Sequence, residues 1–289
     1  MPGRAKRDSF DCVPFPPDKP GTDASLETEM SPAPATVRLV STDFDGTIHE
    51  DFVRPGIPMA LQHKLAALQN AGVTWVINTG RDKASLMQSL EQTDIRVRPD
   101  YVVLVEREIF RRVGPSEYVP VEPWNTACTQ AHTGLFRILG PQLARLRAHL
   151  EQTYTAQLYA DPYSPICIIA QDNQQMDEIE TTVRTSMRPF PTSQIVRNSI
   201  YLRLSHRGYS KGTALAEIQR ILGISADHTV VAGDHLNDLP MLHPTYARYL
   251  ISPHNSVPPV QSQVRQHGGY LAAKPSGLGT LEGLLALGV

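Results

Sequence analysis

The chain has 289 residues, 41% of them hydrophobic, and a formal net charge of −2. That length can bury one large core or two smaller ones, while the near-neutral balance argues against a nucleic-acid or membrane-surface partner selected by bulk charge. No apolar run is long enough to span a bilayer, and no charged-then-apolar leader opens the chain. Cys12, Cys128 and Cys167 show no CxxC spacing, which suits reduced thiols of a cytoplasmic protein and tells against zinc.

Residues 1 to about 35 are rich in Pro, Asp, Ser, Glu and Thr without periodicity, the composition of a disordered tail. The basic clusters at residues 4–7 and 107–112 read as solvated surface. A strand is predicted over 37–41, followed by the loop "STDFDGTIHE". Ile57, Leu61, Leu65 and Leu68 recur at helical spacing up to Gly72, "VTWVIN" is a buried strand, a helix covers about 82–91, and "DYVVLV" is a third strand. This alternation predicts an α/β fold, a doubly wound parallel, Rossmann-like sheet with ligands at the carboxyl ends of its strands.

The pattern then changes. Residues 121–152 read as helical, divided at Gly140-Pro141; "AQLYA" and "ICIIAQ" form a hairpin; a helix covers about 174–187; "QIVRN" and "SIYLRLS" are two further strands. This is an α+β unit inserted into the first. From Ser210 the winding resumes: a helix to Leu222 closed by Gly223, the strand "HTVVAG", later strands in "YARYLI" and "GYLAA", and a closing helix marked by Leu278, Leu281, Leu284 and Leu285. The expected division is a tail over 1–35, a core over 36–118 and 206–289, and an inserted cap over 119–205.

Four carboxylates fall on one rim of the predicted sheet: Asp43 and Asp45 after the first strand, Asp234 and Asp238 after a later one. With no histidine or thiol at ligand spacing, they suit a hard cation bound through oxygen. Magnesium takes only one or two carboxylates and completes its shell with water and phosphate, so the natural partner is a small phosphorylated molecule. Gly46 lets backbone approach a phosphate, Thr79 in "NTGR" brings a hydroxyl, and Lys211 brings a positive charge at a helix start.

These residues carry a resemblance. "DFDGT" at 43–47, "NTGR" at 78–81, "SKGTAL" at 210–215 and "GDHLNDLPML" at 233–242 resemble, in order, the four motifs of the haloacid dehalogenase-like hydrolase superfamily. The insert is similar to the α+β cap of its Cof-type and sucrose-phosphatase-like branch. One D-x-D-G-T match arises by chance on the order of once in 10⁵ positions; four in order carry far more weight.

The resemblance implies a phosphatase in which Asp43 attacks phosphorus and Asp45 serves as acid and then base. It further implies that Asp43, the Asp45 carbonyl and Asp234 hold Mg²⁺, and that Asp238 supports the metal's water shell or orients Lys211. Thr79, Gly80 and Lys211 would contact the phosphoryl oxygens, with Asn237 a further candidate; Arg81 is a candidate for substrate binding, with a surface or helix-capping role as the alternative. A sugar phosphate is the favoured substrate class. A phosphomutase using the same aspartyl-phosphate is the alternative, and a receiver-like phosphoryl-binding module a third reading. Two departures from the family pattern bear on the substrate: Glu106, Arg107 and Glu108 stand where relatives carry a small turn, and His235 stands where a small residue is usual.

Overall fold

The structure is a computed structural model that describes residues 36–93 and 95–289. The expected tail and Cys12 lie outside the described residues.

Eight strands form the main sheet. In chain order they are β1 (Leu39–Thr42), β2 (Thr74–Asn78), β3 (Tyr101–Leu104), β4 (Glu108–Arg112), β5 (Tyr118–Pro120), β10 (Thr229–Ala232), β11 (Tyr249–Ser252) and β12 (Tyr270–Leu271). A separate sheet contains β6 (Gln157–Asp161), β7 (Ser164–Ile169), β8 (Ser193–Asn198) and β9 (Tyr201–His206). The main sheet runs β12-β11-β10-β1-β2-β3-β4-β5, parallel from β12 to β3. Because β1 pairs with β2 on one side and β10 on the other, the winding reverses beside β1. That crevice at the strands' carboxyl ends is where such sheets place ligands.

Alternation along the strands splits the core into two layers. Val40, Ile77 and Val102 face α1 (Met59–Asn70), α2 (Lys83–Gln92) and α7 (Ser276–Ala286). Leu39, Val76 and Val103 face α5 (Lys211–Leu222) and α6 (Pro258–Gln266). In the second unit α3 (Trp124–Thr153) and α4 (Asn173–Met187) cover one face of the β6-β7-β9-β8 sheet, burying Leu135, Leu146, Ile179, Val183, Leu202 and Leu204. The other face of that sheet, including Cys167 and Arg203, looks toward Glu106 in the turn after β3 of the main sheet.

Several expectations are corrected. The stretch after β3 is an antiparallel pair, β4 and β5, whose buried Ile109 and half-buried Phe110 are hidden in the sequence by flanking charges. Within that supposedly solvated run Arg107 is buried. Helix α3 runs unbroken through Pro141. The proline withdraws one backbone donor, and packing of Leu135, Leu139, Leu143, Leu146 and Leu150 into one cluster holds the two halves together. Helix α6 has too short an apolar pattern, Val260 and Val264, to stand out behind Pro258 and Pro259. In α7 it is Leu281 and Leu284 that face inward, whereas Leu278 and Leu285 are exposed. Among the described residues no helix is long and apolar enough to cross a membrane.

Candidate active site

Strand β1 ends at Thr42, and the chain turns so that Asp43 sits at the winding reversal, its amide bonded to the carbonyl of Ala232 on β10. Asp234 follows β10 directly. Gly46 adopts φ +73°, and a Cβ there would lie 2.4 Å from Asp234 Oδ2. Only glycine permits both the left-handed turn and this approach of backbone to carboxylate. Thr47 donates its hydroxyl to Asp234 Oδ1 at 2.6 Å and fixes that carboxylate from below, a contact that sequence reasoning missed although Thr47 closes the motif.

Lys211 is the first residue of α5, whose start is locked by a reciprocal Ser210–Thr213 capping box. Its side chain is fully buried, and Nζ donates to Asp43 Oδ1 at 2.7 Å and to Asp238 Oδ1 at 2.6 Å. Asp238 Oδ2 accepts from the amides of Asp234 and His235, both at 2.9 Å. Both oxygens of Asp238 are thus engaged, one by Lys211 and the other by these two amides. Asp43, Asp234 and Asp238 bring carboxylate oxygens within 4.8 Å of one another. One lysine faces these three acids, so the floor carries excess negative charge.

The titration of these groups follows. Burial pushes Asp43 well above the usual carboxylate range; Asp238 and Asp234 add to that and Lys211 opposes it. Burial and Asp238 raise Asp234 to about 7. Burial works against the Lys211 cation, yet Asp238 and Asp43 outweigh it and raise its pKa. Asp45 behaves oppositely: burial pulls it up, but His49 and Arg81 together hold it at about 2. Arg81 grips it from two sides, Nε to Oδ2 at 2.7 Å and Nη2 to Oδ1 at 2.6 Å, and His49 Nδ1 lies 3.5 Å away. Arg81 also donates Nη1 to Ser85 and Ser89 of α2, so it ties Asp45 to that helix, while the cap itself is Asp82.

The remaining expected residues surround this centre. Thr79 is buried after β2, its oxygen accepting from the Arg81 amide at 3.2 Å. Gly80 follows it, and a Cβ there would come within 3.2 Å of Glu106 Oε1. Asn237 is buried and donates Nδ2 to Glu106 Oε1 at 3.0 Å. The amides of Phe44, Asp45 and Gly80 make no hydrogen bond among the described residues, which leaves three backbone donors free in the loops after β1 and β2.

Glu106 enters this centre by an unusual turn. Val105 and Glu106, linking β3 to β4, have φ +45° and +67°. Left-handed backbone is costly for such residues, valine above all, and such strain collects at functional sites. It aims the Glu106 carboxylate at Asn237 and, across the gap, at Arg203 of β9, whose Nη2 is 3.7 Å from Oε2. Next to it Arg107 donates Nη2 to the Tyr163 carbonyl at 2.8 Å, tying the turn to the second unit.

Comparison with known proteins finds similarity in sequence and in fold. The family model for haloacid dehalogenase-like hydrolases matches residues 145–266. A phosphoglycolate phosphatase of Methanoculleus marisnigri is 27% identical over 206 residues, 71% of this chain and 80% of the relative. Among solved structures, the sucrose-phosphatase of Synechocystis sp. PCC6803 in complex with sucrose and phosphate superposes with a TM-score of 0.64 at 20% identity, covering 88% of this chain and 99% of that one. A subclass IIB sugar phosphatase of the same superfamily gives 0.61 at 17% identity, covering 87% and 99%. The family match over residues 145–266, the order of the motifs and the shared fold make the chain similar to the haloacid dehalogenase-like hydrolases.

Proposed function

We propose that the protein is a magnesium-dependent phosphatase that hydrolyses a small phosphorylated metabolite through a phosphoaspartate on Asp43, with residues 119–205 as the cap that selects the substrate in a cytoplasmic setting. The observation that carries this reading is the state of Asp43. Oδ1 is pinned by Lys211, whereas Oδ2 takes no hydrogen bond among the described residues, and the amides of Phe44, Asp45 and Gly80 in the same loops are also without a bond.

The donor set fits magnesium. Asp43, Asp234 and the Asp45 carbonyl offer hard oxygens, and the Gly46 cradle leaves the space beside Asp234 Oδ2 clear of a side chain. When bound, the ion neutralises charge between these carboxylates and the phosphoryl oxygens. Asp43 Oδ2 attacks phosphorus as the bond to the leaving oxygen breaks, and Asp45 gives that oxygen a proton. Water then attacks phosphorus, Asp45 takes its proton, and the Asp43–phosphorus bond breaks to regenerate the carboxylate. The grip of Arg81 holds Asp45 ionised, which suits the second step; for the first, Asp45 must rotate off Arg81 as substrate enters. Lys211, Thr79 and the open amides stabilise charge on the transferring phosphoryl group. The names of the relatives support this class: sugar phosphates, with phosphoglycolate among further candidates.

The test is phosphate release from a panel of phosphorylated sugars, small phosphorylated acids and nucleotides, with magnesium, with chelator, and with Asp43→Asn. Release that needs magnesium and falls by about 10⁴-fold or more in the variant is expected. Isomerised sugar phosphate in place of free phosphate would instead mark a mutase.

A further inference from the structure

Arg203 differs from the other charged groups around the site. It stands in the middle of β9, opposite Cys167 on β7 and Val196 on β8, on the sheet face turned toward the catalytic floor. It is 3% exposed, yet makes no hydrogen bond among the described residues, and its Nε is sealed from solvent without a partner. Its countercharge, Glu106 at 3.7 Å, is too far for a hydrogen bond. Glu106 is also held back: Oε1 is taken by Asn237, and its backbone is fixed in the left-handed turn.

A guanidinium cannot shed its charge, and burying it unbonded costs several kcal/mol. The chain therefore presents a planar fork of donors with nothing of its own to fill it. Glu106 and Val196, the neighbours of Arg203 across the gap and across the strand, both line a 220 Å³ cavity that also reaches Lys211, Ser210 and Asn237 on the floor. Arg107 cannot substitute for Arg203, since two of its nitrogens are spent on Tyr163 and Ser205.

We propose that Arg203 is the specificity residue of the site and takes an anionic group on the leaving group of the substrate, so that the preferred substrate is a small phosphoester bearing a second anion. The inference rests on the phosphatase reading for the identity of the first anion. Paired acceptor oxygens of a carboxylate or phosphate match the fork and supply opposite charge; a neutral sugar hydroxyl would leave the buried cation with only the unbonded Glu106 carboxylate at 3.7 Å.

Binding tests this apart from turnover. Asp43→Asn is titrated calorimetrically, with magnesium, using 3-phosphoglycerate and 2-phosphoglycolate as the carboxylate arm, 1,3-propanediol bisphosphate as the phosphate arm, and glycerol 3-phosphate as the uncharged arm. The same series is run with Arg203→Met and Arg203→Lys added. One charged arm is expected to bind about 100-fold more tightly than glycerol 3-phosphate. Arg203→Met should erase that preference while changing glycerol 3-phosphate binding less than about 3-fold, and Arg203→Lys should restore only part of it. Arg203→Met alone should melt no lower than the parent, which separates lost recognition from lost fold. Equal binding of all arms, or equal weakening of all arms by Arg203→Met, would overturn the proposal. Selective binding without hydrolysis in the Asp43 parent would keep it and sink the phosphatase reading instead.

Discussion

The catalytic floor and the roof formed by the β6-β7-β9-β8 sheet handle buried charge in opposite ways. On the floor each ionised side chain has partners in place: Lys211 sits between Asp43 and Asp238, Asp238 takes two amides, and Thr47 holds Asp234. On the roof Arg203 is buried as deeply and left unbonded. A preorganised floor can serve the same transfer with any leaving group, because phosphoryl oxygens are its only demand. An unfilled roof discriminates, because only a ligand that completes it recovers the cost of burying its charge.

The largest expected effect breaks the floor. Lys211→Met removes the cation shared by Asp43 and Asp238 and leaves two carboxylates facing each other without water. Truncating one partner of a buried ionic group costs about 3–5 kcal/mol, so denaturant unfolding should show a loss of that size. Arg203→Met, the same replacement on the roof, should show none. Equal losses would mean that Arg203 is held by partners as Lys211 is, and the contrast would fail.

The second effect sharpens the contrast within the roof unit. His132 on α3 is buried but fully bonded. Nδ1 donates to the Cys128 carbonyl at 2.8 Å, so Nε2 is the acceptor that receives the His206 amide at 3.0 Å. Burial, then Arg107, lowers its pKa to about 4. A depressed histidine pKa means that the unfolded chain binds a proton more readily than the folded one. Its contribution is thus intact above about pH 6.5 and is lost as pH falls toward 4. On the order of 2 kcal/mol should disappear across that window, and His132→Gln should flatten the profile of unfolding free energy against pH there. An unchanged slope in the variant would show that the ring is already charged in the fold.

This division also explains what could be read in advance. The floor was legible because each of its groups lies within a few residues of a strand end or helix start, where motif and periodicity coincide: Asp43 after β1, Thr79 after β2, Lys211 opening α5, Asp234 after β10. The roof was not, since Arg203 is one charged residue in an alternating strand, and its sheet could face floor or solvent until α3 and α4 were seen to cover the opposite side. Glu106 was visible as a departure from a small turn, but its direction depended on β4 and β5, whose pattern was masked by charge. Arg107 was misread for the same reason, because burial of an arginine is set by long-range packing and leaves no mark on local composition.

The smallest expected effect lies back on the floor, in Thr47. Its hydroxyl donates to Asp234 Oδ1 inside a fully buried site, and Thr47→Val keeps the shape while removing the donor. Loss of one hydrogen bond to a buried carboxylate should cost about 1–3 kcal/mol without ligand. Because that bond also lowers the Asp234 pKa against burial, its removal should raise the value further above about 7. A carboxyl must ionise to hold a cation, so the apparent magnesium affinity of the variant should fall, by roughly 10-fold near pH 7. The deficit should shrink as pH rises and the proton is lost in parent and variant alike. Magnesium titration followed by the shift in melting temperature at pH 6.5 and pH 8.5 measures this directly. A deficit of the same size at both values would place the effect of Thr47 in the orientation of Asp234 alone and remove the electrostatic part of its role.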